Sequence, residues 1–229
     1  MKNLAIIPAR SGSKRIKNKN IRLFNGKPII DWVINIAKKT DLFEEVIVST
    51  DCKKIAQLSK ELGASVPFLR PKDLSSDETP VIDVVRHAIS QTRNEYSIDD
   101  NLSLIYATAP LLRTEYLKTS IEKLEFFDFA VSICSYPHPI QRALMIDKNS
   151  KRLKMQNSRE YFTRSQEFQE MFHDAGQFVS GKIKAWENAL PFVNEATTGI
   201  HIPRYLVQDI DTEEDWKEAE IKFNLLKNT

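Results

Sequence analysis

The N-terminal segment constrains the fold most, because a short apolar run leads directly into a strongly basic loop. Leu4–Ile7 is entirely apolar and predicts a buried strand. The loop from Arg10 to Lys19 carries five cationic side chains among small Ser and Gly residues. In open α/β sheets, ligands bind where such loops leave the carboxyl ends of parallel strands. Cations and accessible backbone N–H groups at that position suit a triphosphate. A helix with one apolar face is predicted next, built on Ile30, Val33, Ile34 and Ala37.

Two familiar phosphate-binding motifs are absent from this loop. No G-x-x-x-x-G-K-[ST] sequence occurs, and Lys27 is followed by Pro28, so the loop is not a P-loop. The G-x-G-x-x-G fingerprint of dinucleotide-binding proteins is also missing. Taken alone, the loop remains open to the simpler interpretation of a solvated basic surface.

Strand and helix patterns alternate through the first 133 residues. This alternation predicts an α/β fold with a Rossmann-like, mostly parallel sheet and helices on both faces. The predicted strands after the first are Glu45–Asp51, Ala64–Phe68, Leu102–Tyr106 and Phe129–Ile133, and the predicted helices between them are Lys53–Leu62, Val81–Ser90 and Glu115–Phe126.

Composition is that of a soluble globular protein, and 229 residues are enough for one domain with a substantial core. A net charge of +2 gives no reason to expect a nucleic acid or a membrane as partner. The short apolar run after Met1 is not a signal peptide, and no apolar stretch is long enough to span a bilayer. With only Cys52 and Cys134, we expect a cytoplasmic protein with reduced thiols.

Two aspartates near the C-terminus suggest a metal site. The segment Leu206–Asp211 is predicted to be a strand, on which Asp209 and Asp211 face the same side. Paired carboxylates beside a phosphate site favour Mg²⁺. The alternative is that Asp211 merely begins the C-terminal helix, with Thr212 and Asp215 resembling a capping box.

The stretch Ile7-Pro8-Ala9-Arg10-Ser11-Gly12-Ser13-Lys14, followed by Lys19-Asn20, resembles the signature of the CMP-sugar synthetases, the acylneuraminate cytidylyltransferase family. The resemblance implies a fold of the nucleotide-diphospho-sugar transferase type and a loop that holds the phosphates of CTP. It also implies that a second loop contacts the base and ribose, and that Asp209 and Asp211 bind the metal. The CTP-binding residues expected on this basis are Arg10, Gly12, Ser13, Lys14, Lys19, Asn20, Arg70, Asp77 and Thr79, and Arg10, Lys19 and Asp211 are the expected catalytic residues.

Regular alternation ends at Pro137. From residue 137 to about residue 198 the pattern favours an insertion. The simpler alternative is that these residues form an irregular surface excursion. Within it, Asp174-Ala175-Gly176-Gln177-Phe178 resembles an element of one branch of the family, the pseudaminic acid cytidylyltransferases. The resemblance implies that the insertion covers the sugar site and contributes to a homodimer. The sugar-binding residues expected on this basis are Thr108, Arg164, Gln166, Asp174 and Gln177.

The reaction implied is transfer of CMP from CTP to the anomeric hydroxyl of a nonulosonic acid, with release of pyrophosphate. The same loop and aspartates also suit a synthetase for CMP-sialic acid or another keto-acid sugar. A nucleotide-binding regulator without turnover is the alternative from a different class. No separate general base stands out, since His173 and Asp174 are candidates only by location.

Overall fold

The computed structural model describes residues 2–94, 100–188 and 191–227. Residues 189 and 190, which belong to the predicted insertion, lie outside this description. The strands are β1 (Asn3–Pro8), β2 (Leu23–Phe24), β3 (Lys27–Pro28), β4 (Glu45–Ser49), β5 (Asn101–Ile105), β6 (Phe129–Ser135), β7 (Leu144–Ile146), β8 (Leu153–Met155), β9 (Phe172–Lys182) and β10 (Thr197–His201). The α-helices are α1 (Ile29–Lys39), α2 (Lys53–Glu61), α3 (Val81–Thr92), α4 (Thr114–Lys123), α5 (Ile183–Glu187) and α6 (Glu213–Lys227).

The central sheet has the strand order β10-β6-β9-β5-β1-β4 within the described residues. Strand β1 pairs in parallel with β4 and β5, and β10 pairs in parallel with β6. Strand β9 is antiparallel to both of its neighbours, β5 and β6. The mostly parallel sheet predicted from the sequence is therefore confirmed, with one antiparallel strand near its middle.

Helices cover both faces of this sheet. Successive residues of a strand point to opposite sides, so each face has its own apolar cluster. Ala5 and Ile7 of β1 pack in the cluster that contains residues of α1, α2 and α4. Leu4 and Ile6 pack in the cluster that contains residues of α3 and α5. Both faces of β1 are buried, which explains why its sequence is a continuous apolar run.

A third apolar cluster attaches the C-terminal helix to the N-terminal loop. Ile16, from the middle of the basic loop, is 1% exposed and packs in one cluster with Ile210 and Trp216. The ring of Phe24 lies edge-on to that of Trp216, with centroids 5.5 Å apart. This cluster fixes the basic loop beside the segment that carries the two aspartates.

The predicted insertion, residues 137–198, includes one strand of the central sheet and the start of another. Strand β9 and the first two residues of β10 fall inside this range, whereas residues 136–171, between β6 and β9, lie outside the sheet. We call residues 136–171 the excursion. It contains the antiparallel hairpin of β7 and β8. The sequence pattern did not predict β9, because this strand lies between two neighbouring strands and does not alternate between apolar and polar residues.

Two predicted strands are wrong. Ala64–Phe68 forms a single bridge, between Ser65 and Ile47, and Pro67 then removes the N–H that continued pairing needs. Leu206–Asp211 is also unpaired: a 3₁₀ turn at Arg204–Leu206 carries the chain away from the sheet after β10. None of the helices in the described ranges combines the length and the apolar composition that a membrane span requires.

Candidate active site

Three anchors hold the loop between β1 and α1 in place. The carboxylate of Asp51, just after β4, accepts the backbone N–H of Ser11 at 2.9 Å and its hydroxyl at 2.7 Å. Burial alone would raise the pKa of Asp51, but the hydrogen bonds from Ser11 outweigh it and hold that pKa below its usual value. The side-chain amide of Asn20 donates to the carbonyl of Arg10 at 2.9 Å. Together with buried Ile16, these contacts fix the loop before any ligand arrives.

Four of the five cations of the loop are paired with two carboxylates. Arg10 and Lys14 both contact Asp77, the latter at 2.7 Å, and they keep the pKa of Asp77 below its ordinary value, Lys14 having the larger effect. Arg15 and Lys19 both contact Asp211, at 2.9 and 3.5 Å. The two carboxylates therefore offset part of the positive charge of the loop, and a bound anion can displace them.

Two cavities adjoin the loop and share part of their walls. The loop cavity, of about 310 Å³, is lined by Arg10, Ser13, Lys14, Arg15, Ile16, Lys19, Asp77 and Asp211. The edge cavity, of about 240 Å³, is lined by Pro8, Arg10, Ser13, Lys19, Asn20, Arg70, Leu74, Ser76, Asp77, Thr79, Val81, Val84, Tyr106, Ala107 and Thr108. All the predicted CTP-binding residues except Gly12 line one or both cavities. Gly12 is next to them, since a Cβ placed on it would lie 3.2 Å from the guanidinium of Arg10.

Arg70 is the most deeply buried cation of the edge cavity. Its side chain is 5% exposed, and Nε and Nη2 have no hydrogen-bond partner among the described residues. Burial lowers its pKa, Asp51 opposes this effect, and Arg10 adds to it. Thr79 does not cap α3, because its hydroxyl shares a hydrogen bond with Ser76 at 2.8 Å instead. Buried donors without partners suit an acceptor-rich ligand.

The two C-terminal aspartates stand next to the loop, although not on a strand. The carboxylate of Asp215 accepts the backbone N–H groups of Asp211 and Thr212 at 3.0 and 2.7 Å. The hydroxyl of Thr212 in turn accepts the backbone N–H of Asp215 at 3.2 Å. The predicted capping box is confirmed and fixes the backbone of Asp211. Partial removal from water and the nearby charge of Asp211 raise the pKa of Asp209. Two carboxylates this close favour a cation between or beside them.

A bulge in β9 brings a third carboxylate to the same edge of the sheet. Val131 pairs with Val179 and Ile133 pairs with Asp174, so Ser132 alone faces the four residues 175–178. Gly176 has a φ of +64°, and its N–H donates to Asp174 Oδ1 at 2.8 Å. The backbone N–H of Tyr106 donates to the carbonyl of Gln177 at 2.9 Å, which joins the bulge to the end of β5.

Tyr106 connects this bulge with the edge cavity. Burial raises the pKa of Tyr106 to about 12, and the charges of Asp174 and Asp209 add to the effect. The Tyr106 phenol therefore lies near both carboxylates and also lines the edge cavity.

The predicted sugar-binding residues separate into two groups. Thr108 lines the edge cavity, and Asp174 and Gln177 belong to the adjacent bulge. Gln177 is 3% exposed, its amide nitrogen donates to the carbonyl of Leu206 at 2.6 Å, and its Oε1 has no partner in the described structure. Arg164 and Gln166 are exposed on the excursion and line neither cavity.

Sequence reasoning missed Asp51, Tyr106 and Ser132 as members of the site. Asp51 and Tyr106 are each the last residue of a predicted strand, and that position at the carboxyl end was the available signal. Nothing in the local sequence marks Ser132, because its partner residues lie more than forty positions away.

Comparisons with known proteins agree with this geometry. A family model described as cytidylyltransferase matches residues 4–187. A pseudaminic acid cytidylyltransferase of Campylobacter jejuni is 40% identical over 228 residues, which cover 98% of this chain and 97% of that protein. An N-acylneuraminate cytidylyltransferase of Escherichia coli is 31% identical over 152 residues, 65% of this chain and 35% of that protein. The structure of a CMP:2-keto-3-deoxy-manno-octonic acid synthetase complexed with CTP covers 100% of both chains with a TM-score of 0.71 and 14% identity, which shows a common fold. The chain therefore belongs to the cytidylyltransferase family, and it is a nucleotidyltransferase.

Proposed function

We propose that the enzyme transfers CMP from CTP to the anomeric hydroxyl of pseudaminic acid and releases pyrophosphate. The observation that carries the proposal is the pair of adjoining cavities, which share Arg10, Ser13, Lys19 and Asp77 in their walls. One cavity is cationic and the other combines buried Arg70 with polar and apolar side chains. Similarity to the Campylobacter protein along nearly the whole chain supports the choice of sugar.

CTP is proposed to bind across both cavities. Its triphosphate takes the loop cavity, where Arg10, Lys14 and Lys19 supply positive charge and the loop from Gly12 to Ser13 supplies a close backbone approach. Cytosine and ribose take the edge cavity, beside Arg70 and Thr79. Binding of the phosphates replaces the ion pairs of Arg10 and Lys14 with Asp77, which frees that carboxylate to accept from the ribose hydroxyls.

Mg²⁺ is the proposed cofactor, held by Asp209 and Asp211. The fit rests on the donor set: two close carboxylates beside a cationic phosphate site, with the backbone of Asp211 fixed by Asp215. No group of three or more metal-binding side chains occurs in the described ranges, and Mg²⁺ needs only one or two carboxylates in addition to substrate phosphates. Bound there, Mg²⁺ supplies charge neutralisation at the α-phosphate.

The chain's own residues then act by orientation and electrostatics. Lys19 and Arg10 hold the phosphates so that the sugar hydroxyl attacks the α-phosphorus in line, and they stabilise the charge that builds up on the leaving pyrophosphate. The carboxylate of Asp211 keeps Lys19 in place, at 3.5 Å in the free enzyme. Arg10, Lys19 and Asp211 are accordingly the proposed catalytic residues.

The sugar is proposed to lie between the edge cavity and the β9 bulge. Thr108, Asp174 and Gln177 are the proposed contacts from this side, next to Tyr106 and Asp209. Sites built from polar groups discriminate strongly against analogues that leave those groups unpaired.

A homodimer is proposed to complete the sugar site. The excursion exposes large apolar side chains that a monomer leaves in water, among them Leu144 (58% exposed), Ile146 (66%), Leu153 (64%), Tyr161 (61%) and Phe162 (89%). Exposed apolar surface of this kind marks an interface. In such a dimer, Arg164 and Gln166 of the excursion reach the sugar carboxylate in the partner's site, for which the planar fork of Arg is well suited. The proposed location is the cytoplasm, which agrees with the two free cysteines.

Pyrophosphate release with CTP, Mg²⁺ and either pseudaminic acid or N-acetylneuraminic acid tests the proposal. We expect kcat/KM to be far higher for pseudaminic acid, and Asp174→Ala to lower it with little change in CTP binding. Equal values, or a preference for N-acetylneuraminic acid, would remove the pseudaminic acid assignment and leave a CMP-sugar synthetase. No pyrophosphate with any sugar, despite CTP binding, would favour a nucleotide-binding regulator.

A further inference from the structure

We propose that Ser132 is a positioning residue for the sugar site, because its hydroxyl holds the β9 bulge in the shape that presents Asp174 at the carboxyl edge of the sheet. The inference rests on the proposed function insofar as Asp174 contacts the sugar. Ser132 lies on β6, is fully buried, and touches neither of the two cavities.

The hydroxyl of Ser132 occupies the point where the regular pairing of β6 and β9 is interrupted. It donates to the carbonyl of Phe178 at 2.9 Å and accepts the N–H groups of Phe178 and Gln177 at 3.1 and 3.3 Å. Three backbone groups that the bulge removes from the ladder are thus satisfied by one side chain. Buried backbone groups need such partners, so the hydroxyl selects the bulged form of the strand over a regular one.

The bulge determines where Asp174 lies. Four residues of β9 opposite a single residue of β6 shift the start of β9 along its neighbour. If the bulge relaxes toward regular pairing, Asp174 moves along β6, and the contact between Tyr106 N–H and Gln177 is strained as well. Active-site geometry is sensitive to displacements of about 1 Å, which can change rates by about 10²-fold.

The test compares Ser132→Ala with Ser120→Ala. Ser120 is also fully buried, and its hydroxyl also contacts β9, through Ser180 at 2.7 Å, but away from the bulge. Each variant therefore removes one fully buried hydroxyl that is hydrogen-bonded to β9, but only Ser132 bonds to the backbone of the bulge. Measurements are KM for CTP, KM for the sugar that wild type uses best, and amide hydrogen exchange of the peptide that covers residues 174–179.

We expect Ser132→Ala to raise the sugar KM about 10-fold, with the CTP KM within about twofold of wild type, and to accelerate exchange in the bulge. Ser120→Ala is expected to leave both KM values and the exchange of the bulge unchanged. The inference is overturned if the sugar KM of Ser132→Ala stays within about twofold of wild type, or if both variants raise both KM values alike.

A second pair of variants covers the case in which Ser132→Ala does not fold. Gly176 and Gly26 both have positive φ, +64° and +83°, and a Cβ on either would meet nothing within 4 Å. Alanine strains the backbone at both positions, because both require a positive φ. Gly176→Ala should raise the sugar KM, whereas Gly26→Ala, in the turn between β2 and β3, should not. Equal sugar KM values in these variants would contradict the positioning role. The sugar that wild type prefers is measured separately, so a wrong sugar assignment is distinguishable from a wrong role for Ser132.

Discussion

The ammonium group of Lys19 lies 3.5 Å from the carboxylate of Asp211 and donates to the carbonyl of Ile210. Lys19 thus connects an N-terminal loop with a C-terminal segment at the site. Lys19 and Asp211 are 192 positions apart. The contact places the basic loop of the first βα unit against the acidic segment before α6. The proposed phosphate and Mg²⁺ sites are therefore next to each other.

Asp211→Asn is expected to lower kcat by at least about 10²-fold at saturating Mg²⁺, the scale of losing one preorganised electrostatic element. The variant removes a carboxylate proposed to bind Mg²⁺ and weakens the ion pairs with Arg15 and Lys19. Pyrophosphate release across a range of Mg²⁺ concentrations measures the effect. Glu214→Gln is the control, because it removes a nearby exposed carboxylate on α6. A near-normal kcat for Asp211→Asn would refute the metal assignment.

Arg10→Ala and Lys19→Ala are expected to lower kcat/KM for CTP by about 10- to 100-fold, the value of a charge-assisted hydrogen bond. Lys17→Ala, in the same loop but exposed and outside both cavity walls, should behave like wild type. Thermal unfolding of Arg10→Ala should change little, because its pair with Asp77 is partly solvent-exposed. If Arg10→Ala matches Lys17→Ala in kinetics, the loop is only a solvated basic surface.

Asp51→Asn is expected to destabilise the fold by about 1.5 kcal/mol at pH 7, because it weakens the charge-assisted hydrogen bonds to Ser11. The folded-state pKa of Asp51 is depressed, so its stabilising contribution is complete above the ordinary Asp pKa of about 3.9. The contribution is lost as the pH falls through the lower folded-state value. Urea unfolding at pH 7 and pH 3 should therefore show a difference between variant and wild type that shrinks at pH 3. A difference that does not change with pH would assign the stabilisation to packing.

Phe162→Glu is expected to convert a dimer into a monomer, because it places a charge in the apolar surface of the excursion, where Phe162 is 89% exposed. Light scattering during gel filtration measures the mass directly. Phe126→Glu is the matched control, since Phe126 is 75% exposed just after α4, outside the excursion. A wild-type protein that already elutes as a monomer, or equal behaviour of the two variants, would exclude this interface.

Elements whose signals are local could be predicted from the amino-acid sequence alone. Apolar runs and helical periodicity located β1, β4, β5 and the principal helices, because burial on one or two faces leaves a pattern within ten residues. The loop from Arg10 to Asn20 was recognisable for the same reason: charge, small residues and position after a strand are all properties of adjacent residues. The capping box at Thr212 and Asp215 is equally local.

Features that depend on pairing between distant segments could be seen only in the folded structure. Strand β9 is antiparallel in a mostly parallel sheet, and Gly181 is required there because a Cβ would come within 2.4 Å of the Phe129 ring on β6. The unpaired state of Leu206–Asp211 likewise follows from the absence of a neighbouring strand, which no window of sequence contains. The site depends on the same kind of contact, since Ser11 meets Asp51 across 40 positions and Lys19 meets Asp211 across 192. Hydrogen bonds and ion pairs of this range are set by how the strands align, and only the folded chain fixes that alignment.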